Sequence, residues 1–134
     1  MHLFRLLQLS LTAAFSLALL AVSPVKAAEF KEFDASALAV AQAEGRPVLL
    51  DVSAWWCPVC ASQNSTIKQT VGAAAYTKLI IFHIDYDRQE AVWKGYGVVK
   101  QATLIGFKGK REVGRLEFVT DKSQIKSLLD TVVS

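Results

Sequence analysis

The chain has 134 residues, 52% of them apolar and 20% charged, with a formal net charge of +3. That length suits one compact domain and is short for two. Its 15 basic and 12 acidic residues are interspersed, so no basic block marks a nucleic-acid surface, and there is no internal repeat or low-complexity tract.

The first 27 residues read as a secretory signal. Met1 to Arg5 is basic, Leu6 to Val22 is almost wholly apolar, and Val25-Lys26-Ala27 puts small residues on both sides of Lys26, as a cut after Ala27 requires. The competing reading is an uncleaved anchor, because about 17 apolar residues reach the lower edge of a bilayer-spanning length. Gln8, Ser10 and Thr12 weaken that alternative. Either way the protein is expected to be exported, to the periplasm if the cell is Gram-negative. Cleavage leaves one domain, residues 28–134. It removes Arg5 and Lys26, leaving 13 basic against 12 acidic groups and a net charge of +1.

A weak strand near Phe30 to Phe33 precedes a helix from Ala35 to Glu44, capped by Asp34, with Leu38 and Ala41 inward and Gly45 as its stop. Val48 to Ala54 is a short, mostly apolar run suited to a strand buried on both faces, and Asp51 is its anomaly. A helix from Pro58 to about Lys68 follows. The Asn64-Ser65-Thr66 run in its middle predicts distortion or an early end, with a shorter helical piece from Val71 to Tyr76. Lys78 to Asp85 is a second strongly apolar strand, and Asp87 is expected to cap a short helix through Trp93 that Gly95 closes. Two strands around Gly109-Lys110 form a hairpin, on which Lys108, Lys110, Arg111 and Arg115 with Glu112 read as a solvated surface. Asp121 and Gln124 make a capping-box pattern, and Ile125, Leu128, Leu129 and Val132 form one apolar stripe on the closing helix. Buried strands alternating with helices, then a hairpin and a last helix, predict an α/β fold whose mixed sheet is covered on both faces.

Cys57 and Cys60, the only cysteines, sit where the first strand runs into the second helix. The first turn of a helix has unpaired N–H groups and the positive end of the dipole, so a thiolate there is stabilised and nucleophilic. Pro58 fits that turn because its missing N–H loses no helical bond. Cys57 is then the attacking thiol, and Cys60, three residues on, can reach it to close a disulfide and resolve a mixed one. A structural staple explains the pair poorly, since so short a loop removes little chain entropy. Zinc lacks ligands: beyond the two thiols, the only histidine outside the signal is His83, which reads as a packed or edge residue rather than a ligand. A two-thiolate copper(I) site stays open on grounds of softness.

"VLLDVSAWWCPVC" resembles the active-site strand and motif of the thioredoxin family, and "IIFHIDYD", "GYGVVKQATLIGFKGK" and "SQIKSLLDTV" resemble its central strand, hairpin and final helix. The resemblance covers about residues 30–134. It implies a thioredoxin-like three-layer fold and exchange of electrons with protein dithiols and disulfides. It implies that Asp51 accepts the proton of the Cys60 thiol, and that Trp56, Pro58, Val59, Gln101, Ala102 and Thr103 meet the substrate. No cofactor is needed, since the cysteines carry the electrons, and the expected form is a monomer that binds no nucleic acid. Trp55, beside Trp56, either widens an apolar rim or packs inside. Two departures stand out. Ala102 replaces the family's cis-proline, and since a cis bond there would cost about 2.5–4 kcal/mol a trans peptide is expected. Ile81 stands in place of a lysine that often accompanies the buried Asp, which favours a neutral Asp51.

The flavour of "GRPVLLDVSAWWCPVC" is closest to periplasmic thioredoxin-like domains of DsbD-type reductases and cytochrome-maturation proteins. A reductant fed by a membrane electron donor is therefore favoured over an oxidant, within a family range of about −270 to −120 mV. A copper(I) or other thiophilic metal carrier is the alternative. A redox-silent module binding partners through Trp55 and Trp56 is a third reading.

Overall fold

The computed structural model describes residues 27–134. All but Ala27 of the expected signal segment lies outside that range. Along the chain run β1 (Glu29–Glu32), α1 (Ala35–Ala43), β2 (Pro47–Ser53), α2 (Pro58–Thr70), a 3₁₀ turn (Ala74–Tyr76), β3 (Ile80–Asp85), α3 (Glu90–Gly95), β4 (Thr103–Lys108), β5 (Arg111–Glu117) and α4 (Lys122–Val133). The strands form one sheet in the order β1-β3-β2-β4-β5. β1 and β2 are parallel to β3, while β4 is antiparallel to β2 and to β5. The mixed, doubly covered sheet expected from the sequence is the one observed.

Its two faces follow from side-chain alternation along β2 and β3. Val48, Leu50 and Val52 join Ile80, Phe82 and Ile84 in a core closed by Leu38 and Ala41 of α1 and Trp93 of α3. The residues between them, Leu49 and Ile81, join Leu104 in the opposite core, closed by Ile67 of α2 and by Ile125, Leu128, Leu129 and Val132 of α4. Each of these aliphatic side chains, fully withdrawn from water, contributes about 1.5–3 kcal/mol. The predicted stripe of α4 is thus the lid of one core. Asp121 caps that helix through the Gln124 N–H at 2.8 Å. Gly106 on β4 lies opposite Gly114 on β5, and a Cβ on Gly106 would collide with Val132, so these glycines let α4 settle onto the sheet.

Three details differ from expectation. α2 runs unbroken to Thr70, because the inward Gln63 finds partners: its amide donates to the carbonyls of Ala102 at 3.1 Å and Val119 at 2.9 Å. Gln63, just before the Asn64-Ser65-Thr66 run that reads as weakness, fastens the helix to two loops. The helical piece after it shrinks to the 3₁₀ turn. Asp87 does not cap α3, which starts after Gln89; Asp85 instead accepts the Asp87 and Arg88 N–H groups and shapes that turn. Among the described residues no helix is long and apolar enough to cross a membrane.

Candidate active site

β2 ends at Ser53, and a tight turn over Ala54 to Trp56 delivers Cys57 to the N-cap of α2. Cys57 is in extended conformation (φ −96°, ψ 109°), the geometry that lets a cap side chain turn back over the first turn. Its Sγ accepts the Cys60 N–H at 3.1 Å. The two cysteines form a disulfide with their Cα atoms 5.2 Å apart. Pro58 occupies the first helical turn. The N–H that caps the sulfur in the disulfide is already placed to stabilise a Cys57 thiolate after reduction.

Both cysteines are buried, Cys57 at 3% exposure, in a small cluster with Ala54 and Ala102, flanked by Val59 and Tyr86. Ala102 comes from the loop before β4, 42 residues beyond Cys60. Its peptide is not cis, since no cis peptide occurs among the described residues, and its backbone is left-handed at φ 59°. Non-glycine residues pay about 1–2 kcal/mol for that conformation. Two donors hold it there: the Gln63 amide and the Phe118 N–H, at 3.1 and 2.8 Å from the Ala102 carbonyl. Gln101 beside it is half-buried. Thr103 is turned inward, its hydroxyl donating to the Lys100 carbonyl at 2.9 Å.

Around this cluster lies an apolar rim. Trp55 is 92% exposed, which settles it as surface rather than core. Trp56 is half-exposed, its indole N–H donates to Asp87 at 2.9 Å, and its ring meets Tyr86 edge-on. Tyr86 in turn stacks on Trp93. Val99 and Phe118 are also exposed, and the Phe118 N–H donates to the Ala102 carbonyl. Sequence reasoning missed Gln63, Tyr86 and Asp87, whose roles depend on chain crossings that no local pattern reveals.

Asp51 is buried in the strand that leads to the cysteines. Ser53 donates to its Oδ2 at a long 3.4 Å, and its Oδ1 has no partner. Burial pushes its pKa from 3.8 up to about 6, against smaller pulls downward from His83, Ser53 and Asn64 and a small push upward from Glu32. The Ile81 side chain packs into the core beside it and offers no charge. His83, taken from the sequence as a packed or edge residue, lies on the inner strand β3 directly in register with Asp51. Among the described residues no three or more His, Cys, Asp or Glu side chains gather as a metal site.

The thioredoxin family model matches residues 24–131 of this chain. A thioredoxin-like protein of Synechocystis is 31% identical over 88 residues, covering 66% of this chain and 83% of that protein. The thioredoxin of Mycobacterium bovis is 29% identical over 108 residues, covering 81% and 92%. Among solved structures, Trxlp from Edwardsiella tarda superposes with a TM-score of 0.73 at 34% identity, covering 75% of this chain and 98% of that one.

Proposed function

The chain belongs to the thioredoxin family and is a thiol–disulfide oxidoreductase of that type; we propose that it works outside the cytoplasm as a reductant of protein disulfides through Cys57 and Cys60. The observation that carries the exchange chemistry is the Cys57 sulfur at the N-cap of α2, receiving the Cys60 N–H at 3.1 Å, while the reductant direction rests on the resemblance of Gly45 to Cys60 to periplasmic reductase domains. In the reduced protein the Cys57 thiolate attacks one sulfur of a substrate disulfide and displaces the other as a thiolate. The Cys60 thiol passes its proton to Asp51 and its sulfur attacks Cys57 in the mixed disulfide. The Cys57–Cys60 bond forms, the substrate's second sulfur leaves, and two electrons have moved from the cysteine pair to the substrate.

The protein substrate meets the Trp56, Pro58 and Val59 side of the disulfide and the backbone of Gln101 and Ala102, while Thr103 contributes its main chain, since its hydroxyl is engaged within the loop. Trp55 and Trp56 supply exposed aromatic area of the kind that anchors partners. A membrane-bound dithiol donor returns the cysteines to the reduced state. The basic N-terminus, apolar stretch and small-residue site at Ala27 support export.

The test is the reduction potential of the Cys57–Cys60 pair, by thiol trapping across a glutathione or dithiothreitol series. The expected value is near or below about −250 mV. A value above about −150 mV would make the protein a disulfide donor and reverse the assigned direction.

A further inference from the structure

On the α2-facing side of the sheet, one cross-strand row is apolar and the next is wholly titratable. Phe30, Ile81 and Leu49 lie in register across β1, β3 and β2; two residues further on, Glu32, His83 and Asp51 do the same. The titratable row stops at Asp51, because its next neighbour on β4 is Leu104. Along it, burial rises in steps: the Glu32 side chain is 82% exposed, that of His83 35%, and Asp51 is buried. His83 Nδ1 lies 3.0 Å from Glu32 Oε2. A cleft of about 550 Å³ opens over the row, walled by Asn64 and Lys68 of α2 and by Ser53 and Trp55. The one buried oxygen of the row without a partner, Asp51 Oδ1, belongs to a residue that lines this cleft. A polar cleft of that size admits water that can join the groups along it.

We propose that His83, held by Glu32, is a positioning residue for Asp51 and conducts its proton to and from solvent through this cleft. The proposal rests on Asp51 as the acceptor of the Cys60 proton. When the mixed disulfide resolves, the Cys60 S–H bond breaks and the proton goes to an Asp51 oxygen. The sulfur's electron pair forms the Cys57–Cys60 bond, and the Cys57–substrate bond breaks with its pair leaving on the substrate thiolate, which takes a proton from solvent. Asp51 is then a neutral carboxyl inside the protein. His83 accepts its proton by way of cleft water, and the Glu32 carboxylate, 3.0 Å from Nδ1, stabilises the imidazolium so formed. That proton then leaves to solvent. The reverse sequence restores it when the pair is reduced. Imidazole suits this task because it can take a proton on one ring nitrogen and give one up from the other, the general habit of a proton shuttle. The charged groups around it are Glu32 and Lys31 from β1, Asp51 from β2, Asp85 further along β3 and Lys68 from α2, all lining the cleft.

The experiment is the pH titration of the Asp51 Cγ carbon by NMR, paired with rapid-mixing rates for resolution of a preformed mixed disulfide and for the accompanying proton release to an indicator dye, in wild type, His83→Gln, His83→Lys and Asp51→Asn. His83→Gln is expected to move the Asp51 midpoint upward by about one pH unit and to slow resolution about tenfold on the acid side. His83→Lys returns the midpoint, and with it resolution, towards wild type by placing a positive charge there, but proton release stays slow, as in His83→Gln, because lysine holds its proton too tightly at neutral pH to relay it. The NMR spectrum of each variant reports its fold directly. If His83→Gln leaves midpoint and rate unchanged while Asp51→Asn removes the pH dependence, the relay is wrong and the acceptor role of Asp51 stands. If Asp51→Asn itself leaves resolution unchanged, the acceptor role fails and the relay falls with it.

Discussion

Asp51→Asn removes a charge whose burial opposes folding, and the sign of its effect depends on pH. The folded-state pKa, about 6, is raised above the ordinary 3.8. Below 3.8 the carboxyl is protonated in both folded and unfolded chains and contributes no pH dependence. Between 3.8 and 6 the unfolded chain ionises while the folded one holds its proton, so stability falls as pH rises. Above 6 the whole penalty is present. At 1.36 kcal/mol per pH unit that interval amounts to about 3 kcal/mol, of which about 2.5 develops between pH 4 and pH 8. Asparagine carries costs of its own, since its amide must find partners where Oδ1 has none, but those costs do not vary with pH. The quantity to measure is therefore the stability of Asp51→Asn minus that of wild type, by urea unfolding of the oxidised proteins at both pH values. It should rise by about 2.5 kcal/mol from pH 4 to pH 8, a relative shift in urea midpoint of about 1–2 M. A difference that stays constant across that range would refute the burial argument.

Cys57→Ser should abolish disulfide exchange, whereas Cys60→Ser should accumulate mixed disulfides with substrate, seen as thiol-labile higher bands on non-reducing gels. Gly106→Ala drives a methyl into Val132 and Leu128 and should destabilise the protein by about 1–3 kcal/mol in the same urea assay. Gln63→Leu removes the donor shared by the Ala102 and Val119 carbonyls; a loss of about 1–3 kcal/mol and slower reaction with protein disulfides are expected. Trp55→Ala should change stability by no more than about 0.5 kcal/mol while raising KM for a protein disulfide, because the side chain faces solvent.

The parts of the fold that repeat locally could be read in advance. β2 and β3 are continuous apolar runs, α4 shows its stripe at helical spacing, and the Cys57–Cys60 turn follows from a strand meeting a proline-started helix. Asp51 stood out because a lone carboxylate in such a strand is costly. What stayed hidden depends on register and crossing. His83 looked inert because nothing local links it to Asp51; only the parallel pairing of β2 with β3 brings them level, and β1 then adds Glu32. Asn64-Ser65-Thr66 read as a weak stretch because those residues are poor helix formers, whereas the fastening residue is Gln63 just before them, whose partners lie 39 and 56 residues away. Asp87 resembled a helix cap by position, yet the Trp56 indole, 31 residues earlier, claims its carboxylate.

The seat of α4 on Gly106 and Gly114 bears on when the domain can form. One of the two cores is closed by Ile67 of α2 and by Ile125, Leu128, Leu129 and Val132, the last four from the final element of the fold. Until that segment docks, Gly106 on β4 and Gly114 on β5 have nothing seated on them, and Leu49, Ile81 and Leu104 keep one side open to water. The N-terminal half alone therefore cannot close this core. A chain truncated before α4 is expected to leave this core open and protease-sensitive.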